Sequence, residues 1–407
     1  MADQRREAGR RIVLDDLRAV RWPLALALFA GGAIGMALLL TLVFGLDSKT
    51  GVQVRGVSSA SAAHIRSSTA RPMPAATKAV APTGASVATT PSLAALVGQR
   101  FMVGLHTAAP TEALLGDVRK GQIGGIVIFT EESSPPEVKQ ATARLRAAAA
   151  AGHQPPLLIS TDQEGAIKRL PGPPKPLSRL TPGAAHTEGE HAGSYLREYG
   201  INVDLAPVVD LGLPQSFITQ QGRTISADPG QVAAVAVGFA AGLQASLVMP
   251  VAKHFPGLGA AVVNTDEAKS VIEGSPGAAL IPYQALITGG LPAVMLSTAF
   301  YPSLDPKHAA AWSPHIIEGL LRRRLGFEGL TITDALGSAG VQQSMSTPEA
   351  TVAAARAGDD GLMIDDPNDF RAAYNALLGA AESGRVPRRQ LNASYRRILT
   401  AKKEFGN

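Results

Sequence analysis

At 407 residues, 45% of them hydrophobic, the chain is long enough to bury a large core. Its formal charge is +5, but residues 1–21 hold six Arg against four acids and residues 47–92 hold five Lys or Arg against one Asp. The remainder therefore carries −1, and a nucleic-acid partner is not expected. The absence of Cys excludes disulfides, thiolate metal sites and a lipidated N-terminal cysteine.

In chain order, residues 1–21 read as a short basic tail. Residues 22–46 contain no charged side chain and, at ~1.5 Å per helical residue, suffice to cross a ~30 Å hydrocarbon core. The six preceding arginines place the tail in the cytoplasm and the rest of the chain outside, so a single-pass signal anchor in the cell membrane is expected. A cleaved signal peptide with a small-residue site near residues 59–63 is the competing reading. The apolar run is longer than a usual signal core, and that site lies far beyond it. A buried soluble helix fits less well, because Gly31, Gly32 and Gly35 would weaken it in water. Residues 47–92 are rich in Ala, Ser, Thr, Pro and Val without helical or strand period, which reads as a disordered tether reaching about 40 Å.

From residue 93 to the end, short apolar runs alternate with longer amphipathic segments. The runs are RFMVGL, GGIVIF, PPLLIS, NVDLAPVV, VMPVAK, AVMLST, LTITD and GLMI, with helical stretches such as residues 231–243 and 314–325 between them. Eight such units over this length predict a (β/α)8 TIM-type barrel rather than a doubly wound open sheet. No Gly-rich phosphate loop follows the first run, so no nucleotide cofactor is implied. Residues 388–405 read as a basic amphipathic closing helix.

Chemistry is expected where these runs end, because barrel enzymes work at the C-terminal ends of their strands. Lys253-His254-Phe255-Pro256-Gly257-Leu258-Gly259 follows the run VMPVA and puts two hydrogen-bonding side chains just before a forced turn. Asp162 ends LLISTD, where a carboxylate can accept two sugar hydroxyls, and Asp334 ends LTITD. A carboxylate at that last position is either a nucleophile or the N-cap of the following helix. Glu164, two residues past its strand end, reads as structural.

The segment 253–259 resembles the KHFPGHG signature of glycoside hydrolase family 3, β-N-acetylhexosaminidase branch. The resemblance continues in order through DQEG at 162–165, NVDLAPVVDL at 202–211, GRTISADP at 222–229, YPSLDP at 301–306 and LGFEGLTITDAL at 325–336. It implies that Asp334 is the nucleophile of a retaining glycosidase and that Asp162, Arg169, Arg223, Lys253 and His254 bind the sugar. The chain departs from the pattern at four places. Asn264-Thr265-Asp266 stands where the family has Asp-Ser-His with its acid/base histidine, Leu258 replaces the second His of the signature, and Thr298 replaces the His before the Tyr-Pro motif. The stretch after DQEG is also one residue short, so Arg169 aligns only across a gap. Asp266 can serve as the acid if burial or the Asp334 charge lifts its pKa well above the reference of about 3.9; the other reading is a solvated loop residue.

The function expected on this resemblance is a membrane-anchored, extracytoplasmic retaining β-N-acetylhexosaminidase-like hydrolase acting on cell-wall muropeptides or small β-glycosides. Aromatic residues make up only 5% of the chain and one of its two Trp lies in the anchor, which favours a small pocket over an extended polysaccharide platform. A sugar-binding pseudoenzyme that has lost proton transfer is the alternative, and a Schiff-base aldolase using Lys253 is a third reading. No cofactor is required. No metal site is expected either, since the eight His are scattered and none forms an HxxxH pair.

Overall fold

The computed structural model describes residues 91–130 and 133–406. The expected tail and anchor, and the tether apart from its last two residues, lie outside them; among the described residues no helix is long and apolar enough to cross a membrane. The first described helix, Leu93–Gly98, starts on Ser92, whose side chain accepts from the Ala95 N–H.

Each apolar run forms a strand. They are β1 (Phe101–Leu105), β2 (Gly125–Ile128), β3 (Leu158–Thr161), β4 (Val203–Asp204), β5 (Met249–Phe255), β6 (Ala293–Leu296), β7 (Leu330–Thr333) and β8 (Leu362–Ile364). All neighbours pair in parallel in the order β7-β6-β5-β4-β3-β2-β1-β8. The two ends of that order meet through a parallel bridge between Ile332 and Gly361, with the Thr333 N–H donating to Gly361 O at 2.9 Å and the Gly361 N–H donating to Thr331 O at 2.8 Å. A closed ring in sequence order is the barrel topology and excludes the open doubly wound sheet.

The core divides as the two-residue period of a strand requires. Met102, Val127, Leu158, Val203, Met249, Val251, Ala293, Met295, Leu330, Ile332 and Met363 fill the barrel interior. The alternate residues, Phe101, Val103, Ile126, Ile159, Val294 and Ile364 among them, pack outward against the helices. Ile398, Ala401 and Phe405 of the closing helix, Arg388–Phe405, join the interior set. The longest crossover helices are Pro135–Ala151, Pro182–Glu198 and Pro229–Ala245, each opening with Pro in its first turn, where the missing N–H costs nothing. The expected helix at 314–325 runs His315–Arg324 with the wider i→i+5 pitch.

Candidate active site

Continuing the inward-facing period to the C-terminal end of each strand, and mostly one step past it, builds the site. Two residues beyond Ile332 is Asp334, two beyond Val251 is Lys253, and four beyond Leu158 is Asp162. The same step places His106 above β1, Phe129 above β2 and Asp365 above β8. All six line one cavity of about 540 Å3 at the C-terminal end of the barrel. Arg169, Arg223, His254 and Asp266 line it as well, so every sequence-predicted site residue meets there.

The floor of one wall is an ion-pair cluster. The Lys253 Nζ lies 2.5 Å from Asp162 Oδ1 and 2.6 Å from Glu164 Oε1. Arg223 grips Glu164 with Nε and Nη2, both at 2.8 Å, and the Arg169 Nε stands 3.7 Å from Asp162 Oδ2. Burial by itself would raise the Glu164 carboxyl, but the Lys253 and Arg223 charges outweigh it and bring it to about 2. Burial likewise opposes the Lys253 charge, and Asp162 and Glu164 overcome that and hold the amine above its usual value. The cations stay charged at the cavity edge because the carboxylates beneath them are charged. Asp204, one residue out of the inward period and fully buried behind the cluster, is pushed well above the carboxylate range by burial; one oxygen accepts from the Gln163 N–H at 3.0 Å.

His254 should face outward by strict alternation. The pairing of β5 with β6 breaks register between Ala252 and Phe255, and His254 lines the cavity beside Lys253. Its ring is fixed from behind: Nδ1 lies 2.7 Å from Asp210 Oδ2, and Asp210 Oδ1 accepts from the Leu258 N–H at 2.6 Å and the His254 N–H at 3.3 Å. A carboxylate partner requires a proton on Nδ1, which leaves Nε2 for a ligand.

Asp334 is half-buried and accepts from the Ala335 N–H at 2.9 Å. The next helix, Ala339–Gln342, begins on Ser338, so Asp334 does not cap it. Asp266 sits on the loop after β5, where its N–H donates to the Asn264 Oδ1 at 3.1 Å and its carbonyl accepts from the Ala339 N–H at 3.0 Å. Although its surface is exposed, protein crowds it on the cavity side. That burial, reinforced by the Asp334 charge and opposed by His254 and Arg223, lifts its carboxyl to about 6. Asp365 is raised by burial and, less strongly, by Asp334, against the Gly337 N–H that donates to it at 3.0 Å.

Residues 92–401 match the profile of the Glycosyl hydrolase family 3 N terminal domain. The chain belongs to glycosyl hydrolase family 3. It is 33% identical over 331 residues to an uncharacterized secreted glycosyl hydrolase of Arthroderma benhamiae, covering 75% of this chain and 92% of that protein. It is also 33% identical over 276 residues to a beta-hexosaminidase of Xylella fastidiosa, covering 63% of this chain and 80% of that one. Among solved structures it resembles the beta-N-acetylhexosaminidase of Beutenbergia cavernae, with a TM-score of 0.72, 32% identity, and coverage of 77% of this chain and 99% of that one.

This family 3 barrel adds residues to the site that reasoning from strand ends alone passed over. The His106 ring stacks on Phe129 with centroids 5.2 Å apart, and the Arg169 guanidinium lies 5.5 Å from the same ring, so three side chains form one block of the cavity wall. His106 Nε2 is also 2.8 Å from the Asp365 carbonyl oxygen. The two-residue period carried past β1, β2 and β8 was the signal for these. Glu164 is structural in holding Lys253 and Arg223, yet it also lines the cavity.

Proposed function

We propose that the chain is a retaining β-N-acetylhexosaminidase in which Asp334 is the nucleophile and Asp266 the acid/base. The observation that carries this reading is that Asp266 and Asp334 line one cavity and that burial, reinforced by the Asp334 charge, lifts the Asp266 carboxyl to about 6. Asp334 attacks the anomeric carbon while Asp266 gives its proton to the departing oxygen. Asp266, now ionised, then takes a proton from the water that releases the sugar from Asp334. Two carboxyls thus do what a carboxylate and a histidine do where Asp-Ser-His is present. Asp162, Arg169, Arg223, Lys253 and the Nε2 of His254 hold the sugar hydroxyls, the cluster beneath them supplying fixed donors and acceptors.

The barrel is proposed to stand outside the cell, tethered by residues 47–92 to a single-pass anchor at 22–46, and to act on cell-wall muropeptides or small β-glycosides. The six arginines ahead of the anchor and the secreted relative support this placement.

Turnover of p-nitrophenyl N-acetyl-β-glucosaminide by the full chain in detergent tests the chemistry, because that leaving group needs little protonation. The expected result is turnover that disappears in Asp334→Ala. Binding of N-acetylglucosamine without turnover of this substrate would instead show a sugar-binding pseudoenzyme.

A further inference from the structure

The loop that carries Asp266 is seated on another segment of the chain. Residues 264–268 form a turn of their own, with the Asn264 carbonyl accepting from the Glu267 and Ala268 N–H groups at 3.1 and 3.0 Å. That turn rests on the short helix that follows the nucleophile's strand, Ala339–Gln342. The Ala339 N–H donates to Asp266 O at 3.0 Å and Ser338 Oγ to Thr265 O at 3.4 Å, while at the outer edge the Lys269 N–H donates to Gln343 Oε1 at 3.1 Å. Gly340 lies between these struts. A Cβ there would run into Thr265 O and stand 2.7 Å from Ala268 O, so the seat closes only on a residue with no side chain. The segment leading into the helix is braced in turn against β8, the Leu336 N–H donating to Met363 O and the Gly337 N–H to Asp365 Oδ1, both at 3.0 Å.

A general acid works only within hydrogen-bond reach of the oxygen it protonates, and a misplacement of about 1 Å can cost 10²-fold. Asp334 and the seat of Asp266 follow one another in a single segment, 334–343, so the spacing of the two carboxyl groups depends on how that seat closes. We infer that Gly340 and Gln343 are positioning residues for the proton donor: Gly340 lets the Asp266 loop settle onto the helix behind the nucleophile, and Gln343 pins the far end of that loop. The inference rests on Asp266 being the acid/base. Neither residue is among those lining the cavity, so a substitution at either reaches the substrate through the loop. Helix propensity works in the opposite direction, because alanine inside a helix is favoured over glycine, and a loss at Gly340 therefore has to come from the contact.

Gly340→Ala and Gln343→Ala in the full chain test this through kcat/KM, which reports the step that expels the leaving group, on a β-linked N-acetylglucosamine disaccharide and on the p-nitrophenyl glycoside. Gly340→Ala should lower the disaccharide value on the order of tenfold and the p-nitrophenyl value much less. Gln343→Ala alters an exposed side chain and should cost about threefold with the same selectivity, so it carries the test if Gly340→Ala fails to fold. Moved outward, Asp266 loses the burial and the Asp334 and Asp162 charges that raise its carboxyl, against the lost pull of His254 and Arg223. The alkaline limb of the disaccharide profile should then fall below its value near 6. In an Asp266→Asn background neither substitution should cost anything further. Gly116→Ala, in a helix where an added Cβ meets nothing, is the control and should leave both substrates unchanged. Equal losses on both substrates, losses that persist in the Asp266→Asn background, or no loss in either variant would overturn the positioning role. If Asp266→Asn itself did not discriminate between the substrates, the acid assignment would fall first and this inference with it.

Discussion

Two clusters of buried ionic side chains sit at opposite ends of the same barrel, and the one at the C-terminal end lines the cavity. At the N-terminal end, Asp360 accepts from Arg397 Nε and Nη2 at 2.9 and 2.8 Å, from Arg322 Nη2 at 3.0 Å and from the Thr331 N–H at 3.1 Å. Arg100, fully buried, donates to the carbonyls of Asp359 and Asp360 and is pulled down to about 10 by its burial. Burial would raise the Asp360 carboxyl, but Arg397 and Arg322 outweigh it and hold it low. At the C-terminal end, Asp162, Glu164, Lys253 and Arg223 are paired as tightly, yet all four line the cavity. Burial and pairing are common to both clusters, so neither marks function. What distinguishes the upper cluster is that a ligand can reach it, at the end of the barrel where loops are free to vary.

The largest expected effect falls at the open end. Asp334→Ala should lower kcat/KM on the order of 10⁴-fold or more while leaving the melting temperature nearly unchanged, since its carboxylate holds only the adjacent Ala335 N–H. A loss of fold alongside the loss of rate would blur the division between the two ends. At the closed end the expectation is reversed. Asp360→Asn leaves Arg322 and Arg397 facing a neutral amide and should cost about 3–5 kcal/mol in denaturant unfolding, with kcat per folded molecule preserved. A fall in kcat without a fall in stability would show that the lower cluster serves the site.

Asp266 sharpens the contrast further. Its raised pKa means it is protonated below about 6 and ionised above, so the acid-dependent step should slow as pH climbs through that value. Asp266→Asn should cost roughly 10²-fold on a disaccharide, much less on the p-nitrophenyl substrate, and should remove that limb of the pH profile. Equal losses on both substrates would exclude it as the proton donor.

The fold was legible because eight apolar runs end at turns, and the same reading put Asp162, Lys253 and Asp334 at strand ends. The supports of these residues were not legible. Asp210 lies 44 positions from His254, and Asp360 lies 37 from Arg397. Only the packing of neighbouring strands, and of the closing helix on the barrel, sets these pairings. Glu164, two residues past its strand end, is structural as expected, but its partners were not legible: the turn closed by the Glu164 N–H to Ile167 O at 2.9 Å keeps it beside Lys253 and Arg223. Sequence period finds what faces the cavity, but it does not reveal which charges stand behind it.

The smallest effect concerns a cation that joins neither cluster. Lys402, on the closing helix, is buried and donates to Gln99 Oε1 at 2.6 Å, and burial lowers its amine to about 7. An unfolded lysine binds its proton up to about 10.4. Between those values the unfolded chain holds more protons than the folded one, so stability rises with pH across that window, by at most about 1.4 kcal/mol per unit. Lys402→Met should remove that rise, and below pH 7 it should be more stable than the parent, because no charge is then forced into the barrel end. The loss of the Gln99 contact opposes this gain, which is why the effect ranks last. Unfolding free energies measured at pH 7 and pH 9 read the slope directly. An unchanged slope in the variant would show that the rise does not come from Lys402.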